Sequence, residues 1–570
     1  MSLNRRQVLA GAGLTIAAGL TSRVPALAAA EEFDVVVVGA GAAGMTAALA
    51  AAKRGLSVVV LEKAATYGGS AARSGAAIWV PGNEVLLNAG VPDSPQKATP
   101  YLDAVVGNRV PAARKAAYLA NGPAMISFVL RNSPLRFRYM EGYSDYYPEL
   151  PGGMPNGRSI EPDLLDGNIL GPELTHLNPP YLATPPGMVV FGADYKWLAI
   201  AAVNLKGAAV ATECLARGTK AALLGQKPLT MGQSLAGGLR AGLMAAGVPV
   251  RLNTPLEDLL VERGVVTGVV TSAGLFRARR GVIVCSGGFE HNAAMRAQYQ
   301  RQPIGTEWTV GARSNTGDGH RAGQRVGAAF DLMDDAWWGP AIPVPGDPYF
   351  CLAERTLPGG LMINAAGQRF VNEAAPYSDV VHVMYDKNPT APCIPAWLVV
   401  DHNYRNRYLF RDIAPTLPLP DSWYSSGAVV KNWSLDGLAA AIGAPALPAT
   451  VKKFNGMALA GRDTEFKRGD SAYDHYYTDP AVFPSSSLGS LWLPPYYAFK
   501  IVPGDLGTKG GMVTDARARV LRPDGTVIPG LYAAGNASSA VMGTSYAGAG
   551  STIGPAMTFG YIAANDLAAG

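Results

Sequence analysis

The first apolar block with a clear structural signature is Phe33-Asp34-Val35-Val36-Val37-Val38, an almost unbroken β-branched run. Such a run suits a strand buried on both faces of a parallel sheet rather than a strand with one wet face. An Ala-rich stretch from Met45 to Arg54 predicts a helix, and Leu56–Leu61 a second buried strand. Strands are expected again at 248–252, 265–271 and 281–285, and a last one at 526–536. Residues 197–224 and 235–246 read as helices, and a final helix opens at Gly554-Pro555-Ala556, with Pro near its first turn. From Asp331 the texture shifts to Trp337-Trp338, frequent prolines and scattered aromatics, and stays so to about Tyr497. This predicts an α/β fold in which one domain, 31–335 and 500–570, is interrupted by an inserted α+β capping domain at 336–499. Residues 145–190, rich in Pro and Gly, read as a loop over the site.

Between the first strand and the first helix stands Gly39-Ala40-Gly41-Ala42-Ala43-Gly44. In a dinucleotide-binding turn Gly39 permits the tight bend, Gly41 lets backbone approach a pyrophosphate, and Gly44 permits close helix–strand packing. Phosphate charge would lie at the helix N-terminus. The second strand ends at Glu62, 18 residues beyond Gly44, where a carboxylate accepts hydrogen bonds from a ribose diol. These parts suit NAD and FAD alike. The continuation Glu62-Lys63…Gly68-Gly69-Ser70…Arg73-Ser74-Gly75 resembles the flavoprotein loop that wraps pyrophosphate and flavin, and points to FAD. Gly535-Asn536 after the late strand, with Gly554, Pro555 and Ala556, supplies a closing half to a discontinuous, Rossmann-like FAD-binding domain.

Composition narrows the chemistry. Net charge is only +5 and no Lys/Arg cluster exceeds short pairs, so nucleic acid is a poor partner. Four cysteines lack CxxC spacing and six histidines are scattered, so neither a metal site nor a disulfide framework is expected. At the extreme N-terminus, Arg5-Arg6 precedes an apolar run from Val8 to Leu20 and a small-residue stretch ending at Ala30. Thirteen residues fall short of the roughly 20 that span a bilayer, so residues 1–30 read as a removable signal of twin-arginine type. The expected location is the periplasm, with peripheral membrane contact left open and a quinone as a plausible electron acceptor.

A flavoenzyme without metal or reactive dithiol works on its substrate with hydrogen-bonding side chains. Tyr546 lies in Gly543-Thr544-Ser545-Tyr546-Ala547-Gly548-Ala549-Gly550, Tyr377 follows Asn372-Glu373-Ala374-Ala375-Pro376, and Tyr143, Tyr146 and Tyr147 cluster in the loop-rich segment. Gln368-Arg369-Phe370-Val371-Asn372-Glu373 resembles the fumarate-reductase-like flavoproteins; within them, Asn372 to Tyr377, Pro503 to Gly511 and Tyr546 to Gly550 are similar to the 3-oxosteroid 1-dehydrogenases. That resemblance implies that Tyr546 and the Gly550 N–H hold a 3-ketosteroid's C3 oxygen. It further implies that Tyr377 as tyrosinate takes the C2 proton while hydride leaves C1 for FAD, and that Tyr146 assists the base, with Tyr143 and Tyr147 as alternatives. Arg73 and Glu373 are read as loop and flavin supports. For Trp337, Trp338, Phe350 and Trp397 pocket lining and core packing both stay open. A dicarboxylate reductase of the same fold needs arginine near the flavin; here none follows Arg522. A 3-oxo-5α-steroid 4-dehydrogenase, acting at C4–C5, is the other alternative.

Overall fold

The computed structural model describes residues 30–570; the signal expected at 1–30 lies outside them but for Ala30. Strands β1 (Glu31–Val38), β2 (Val58–Leu61), β3 (Val250–Arg251), β4 (Leu256–Glu262), β5 (Val265–Thr271) and β6 (Gly274–Val284) form one sheet with the late strands Arg519–Leu521 and Val527–Ala533. β1 sits in its middle, parallel to both neighbours, with Val36 opposite Val59 on one side and Val282 on the other. Val35, Val36 and Val37 are wholly buried, as a strand covered on both faces requires. The sheet gains its reach from β4 and β5, an antiparallel hairpin on the edge of β6, and from Val527–Ala533, which pairs in parallel with β6.

Helix α1 (Ala42–Lys53) is rich in alanine because it is packed closely on several sides. A Cβ at Gly44 would fall 1.9 Å from the Gly39 carbonyl oxygen, and one at Gly560, in the final helix Ile553–Ala569, 2.5 Å from the Ala43 oxygen. The glycines thus let three backbones meet at the C-terminal end of β1, where open α/β sheets place their ligands.

The second sheet comprises β7 (Ala336–Ile342), β8 (Tyr349–Phe350), β9 (Gly360–Ile363), β10 (Ala396–Val400), β11 (Val429–Asn432) and β12 (Tyr496–Thr508), paired antiparallel throughout. The expected boundary at 499/500 falls inside β12, which stays paired with β7 as far as the Ala336–Thr508 pair, across a register shift between Trp338 and Ala336. Helix α2 (Tyr377–Lys387) packs on β7. Within 145–190, read as a loop, Ser159–Pro162 forms a strand between Ile78–Trp79 and Phe137–Tyr139. One hydrophobic core runs unbroken from α1 and the final helix through Trp79 and Tyr546 to Trp337 and Tyr377, so the two sheets share the interior in which the candidate residues lie.

Candidate active site

A cavity of about 690 Å³ extends from the C-terminal end of β1 to the second sheet. On the β1 side it is lined by Gly39, Gly41, Ala42, Ala43, Glu62, Lys63, Gly69, Ser70, Arg73, Ser74, Gly75, Gly535, Asn536 and Ala556. Gly39 has φ +103°, and a Cβ there would strike the Cys285 oxygen at 2.3 Å, so the turn demands glycine. Gly41 caps α1, and no atom lies within 4 Å of where its Cβ would be. Glu62 accepts the Ala40 and Ala64 N–H groups at 2.8 and 2.9 Å; burial raises its carboxyl, while those donors act in the opposite direction. Ser70 Oγ accepts from the Ala312 N–H and the Asn315 amide. Lys63 is paired with Asp318 at 2.8 Å and Arg73 with Asp347 at 2.9 Å. Gly44, Gly554 and Pro555 do not line this cavity. A Cβ at Gly554 would lie 2.5 Å from the Trp79 oxygen, so this glycine seats the final helix on Ile78–Trp79 rather than facing a ligand.

On the far side the cavity is lined by Tyr143, Tyr146, Tyr377, Tyr546 and Gly550. Tyr146 stacks on Tyr546 (centroids 5.3 Å, 17°), and Tyr377 stands edge-on to both, at 5.4 and 5.3 Å. The loops that carry them are joined: Tyr146 N–H donates to the Ala547 oxygen at 3.1 Å, and the Tyr101 hydroxyl donates to the same oxygen. Gly550 has φ +98°, and a Cβ there would lie 2.3 Å from the Ala77 oxygen. Thr552 Oγ1 donates to the Tyr546 hydroxyl at 3.0 Å. Of the two alternatives to Tyr146, Tyr147 donates to Asp379 at 2.9 Å and does not line the cavity, whereas Tyr143 lines it while stacked on Tyr476 at 3.8 Å. Asp145, next to Tyr146, accepts from the Trp79 indole and pairs with Arg158; burial pushes its carboxyl up to about 6.

Burial drives Tyr377 well above the ordinary tyrosine range, the neighbouring Tyr546 and Tyr143 hydroxyls add to this, and a hydrogen bond from Tyr146 opposes it. A further opposing influence is built into the backbone. Tyr377 is the first residue of α2, where the positive end of the helix dipole favours an anion.

No local pattern marks Lys509, although it lies in one of the family-like segments. Its ammonium, wholly buried, donates to the Ser545 oxygen at 3.0 Å, pairs with Asp335 at 3.2 Å and lies 4.8 Å from the Trp337 ring. Asp335 in turn takes His382 of α2 at 3.0 Å, and Trp337 donates to Asn536 at 2.9 Å and meets Tyr546 edge-on at 5.3 Å. One buried cation therefore ties the helix of Tyr377 to the loop of Tyr546. Glu290 was missed too; it accepts from Asn315 at 2.6 Å, and burial pushes its carboxyl up to about 7.

A family model described as an FAD binding domain matches residues 34–553. The chain is 52% identical to the 3-oxosteroid 1-dehydrogenase of Mycolicibacterium smegmatis, over 95% of this chain and 98% of that one. It belongs to the 3-oxosteroid 1-dehydrogenase family of FAD-dependent flavoproteins. Among solved members of this family, the 3-ketosteroid delta1-dehydrogenase from Sterolibacterium denitrificans, in complex with 1,4-androstadiene-3,17-dione, matches with TM-score 0.90 and 38% identity, covering 95% of this chain and 100% of that one. A flavocytochrome c3 fumarate reductase shares the fold at TM-score 0.61 and 21% identity, covering 95% of this chain and 78% of that one. FAD is the cofactor of this family's fold, and the cradle fits it. Gly41 opens onto the cavity at a helix N-terminus, and Ser286 Oγ, buried on the cavity wall, has no hydrogen-bond partner among the described residues.

Proposed function

We propose that this protein is an FAD-dependent 3-oxosteroid 1-dehydrogenase, which introduces a C1–C2 double bond into a 3-ketosteroid. The observation that carries this reading is the meeting of Tyr146, Tyr377 and Tyr546 with Gly550 on one cavity wall that continues into the FAD cradle. Tyr546 O–H and Gly550 N–H would donate to the C3 oxygen and favour the enolate as it develops, which acidifies the C2 hydrogen. Tyr377, as tyrosinate, would then take the C2 proton. Tyr146 would donate to the Tyr377 oxygen and stabilise its anionic form. Bound FAD supplies the acceptor for the hydride that leaves C1.

The walls are built for an apolar substrate. Phe350 meets Tyr377 edge-on at 5.3 Å, and Leu198, Leu352, Leu409 and Leu506 also line the cavity. Of the cations that line the cavity, Lys63 is engaged by Asp318 and Arg73 by Asp347, and Arg411 stands 3.6 Å from Asp412, an arrangement that speaks against a dicarboxylate substrate. The Arg5-Arg6 signal supports export to the periplasm, and export favours a quinone as the final electron acceptor.

Anaerobic mixing with a 3-oxo-4-ene steroid should bleach the flavin and yield the 1,4-diene. Bleaching by succinate but not by the steroid would overturn the proposal, and a 4-ene product from a 5α-reduced steroid without any 1-ene would redirect it to C4–C5.

A further inference from the structure

A row of rings leads along the cavity wall away from the base, from Tyr146 to Tyr143 (6.3 Å), Tyr477 (6.2 Å) and Tyr195 (6.3 Å). At its end stands a polar group with no part in the proposed chemistry. The Tyr195 and Tyr349 hydroxyls are 3.0 Å apart, and both donate to Oε1 of the fully buried Glu354, Tyr195 at 3.0 Å. The Arg411 backbone N–H donates to the same oxygen at 3.0 Å. Tyr195, Tyr349 and Arg411 all line the cavity, whereas Glu354 lies behind them. Two buried atoms here have no hydrogen-bond partner among the described residues: Glu354 Oε2, and Arg411 Nε, which is 3.6 Å from Asp412.

The count of donors and acceptors indicates what this end accepts. Each tyrosine hydroxyl has one hydrogen, and Glu354 takes both, so the two oxygens are left with lone pairs; the guanidinium of Arg411 has only donors. The cavity thus presents an acceptor pair beside a donor. An alcohol satisfies both at once, a ketone satisfies only the arginine, and an aliphatic side chain leaves both unpaired. A carboxylate is disfavoured by the Glu354 carboxyl behind the tyrosines.

We propose that Tyr195, Tyr349 and Arg411, positioned by Glu354, form a second polar anchor that selects 3-oxosteroids bearing a hydroxyl on the ring farthest from the ketone. This rests on the 3-oxosteroid reading above. The anchor would give a cavity that otherwise grips one carbonyl a second polar contact.

The test compares kcat/KM for a 17β-hydroxy-3-oxo-4-ene steroid with that for its 17-deoxy analogue, in the wild-type holoenzyme and in Tyr195→Phe, Tyr349→Phe and Arg411→Met. The wild type should prefer the alcohol by about tenfold, chiefly through KM, because a site built to bond a hydroxyl discriminates against the analogue that lacks it. In each variant the ratio should fall toward one. Arg411 is partly exposed, so its variant reads the same ratio if Tyr349→Phe does not fold. Equal efficiency with both steroids in the wild type, or a preference that survives all three substitutions, overturns the anchor and leaves the dehydrogenase reading intact. Failure of both steroids to bleach the flavin overturns both.

Discussion

Tyr146 and Tyr546 stack ring on ring at 5.3 Å although they come from opposite ends of the chain, and the Tyr146 N–H bonded to the Ala547 oxygen holds them there. The pair forms one side of a corner into which Tyr377 points edge-on. A substrate ketone bound at Tyr546, as proposed, would thereby be set against Tyr377 and Tyr146 by two joined loops and the first turn of α2, the preorganisation on which a proton transfer coupled to hydride loss depends.

Tyr377→Phe should lower turnover with a 3-oxo-4-ene steroid by about 10²–10⁴, the usual contribution of a positioned general base. FAD content and steroid binding should be retained. Turnover with an artificial acceptor close to that of the wild type would remove Tyr377 from the role of base.

The pH profile follows from the direction of the Tyr377 shift. Burial lifts it above the ordinary value near 10, and in the proposed role the active form is the deprotonated one. Log kcat/KM should therefore climb with pH by about one per unit across the neutral range, without a plateau before alkaline pH. Loss of the hydroxyl in Tyr146→Phe removes a hydrogen bond that lowers the Tyr377 value, so the rise should move to higher pH. A profile that is flat from pH 7 upward contradicts this.

Tyr546→Phe should cost about 10²–10³ in kcat, as the loss of one oxyanion donor does. Gly550→Ala should also impair the site, by a different route. With φ at +98° and the Ala77 oxygen 2.3 Å from the new methyl, the loop has to move, at a cost of about 1–3 kcal/mol in stability. Thermal denaturation separates the two variants, since Tyr546→Phe should leave Tm nearly unchanged.

Lys509→Met leaves Asp335 in the interior without its cation. The loss should be about 3 kcal/mol, the low end for breaking a buried pair, because His382 and the Trp338 indole still reach Asp335. Lys509→Met combined with Asp335→Asn should recover part of it in denaturant titration. No recovery would show that the lysine acts through the Ser545 oxygen alone.

Arg5→Lys combined with Arg6→Lys should leave the protein in the cytoplasm with its flavin bound, as measured by fractionation. Unchanged export would exclude the twin-arginine route.

The strand, glycine turn, helix and Glu62 were legible in the sequence, because each is written in residues a few positions apart and obeys a local period. Tyr377, Tyr546 and Gly550 were legible through short motifs. The choice among Tyr143, Tyr146 and Tyr147 was not, since three neighbours in a Pro/Gly-rich segment have no periodicity to say which faces inward. The packing of that segment on the Ala547 loop turns Tyr147 to Asp379 and leaves Tyr146 beside Tyr377. The same holds for Gly554, whose place against Trp79 depends on a strand far away in the chain. It holds also for Lys509, Asp335 and His382, which meet only because β7, β12 and α2 pack together. Local pattern determined the strands and helix around the first turn and the class of ligand, a dinucleotide, for which that turn is shaped. The closing of two sheets over one core decided which hydroxyls share the cavity, because contact between residues hundreds of positions apart is set by packing and has no signature in the order of residues along the chain.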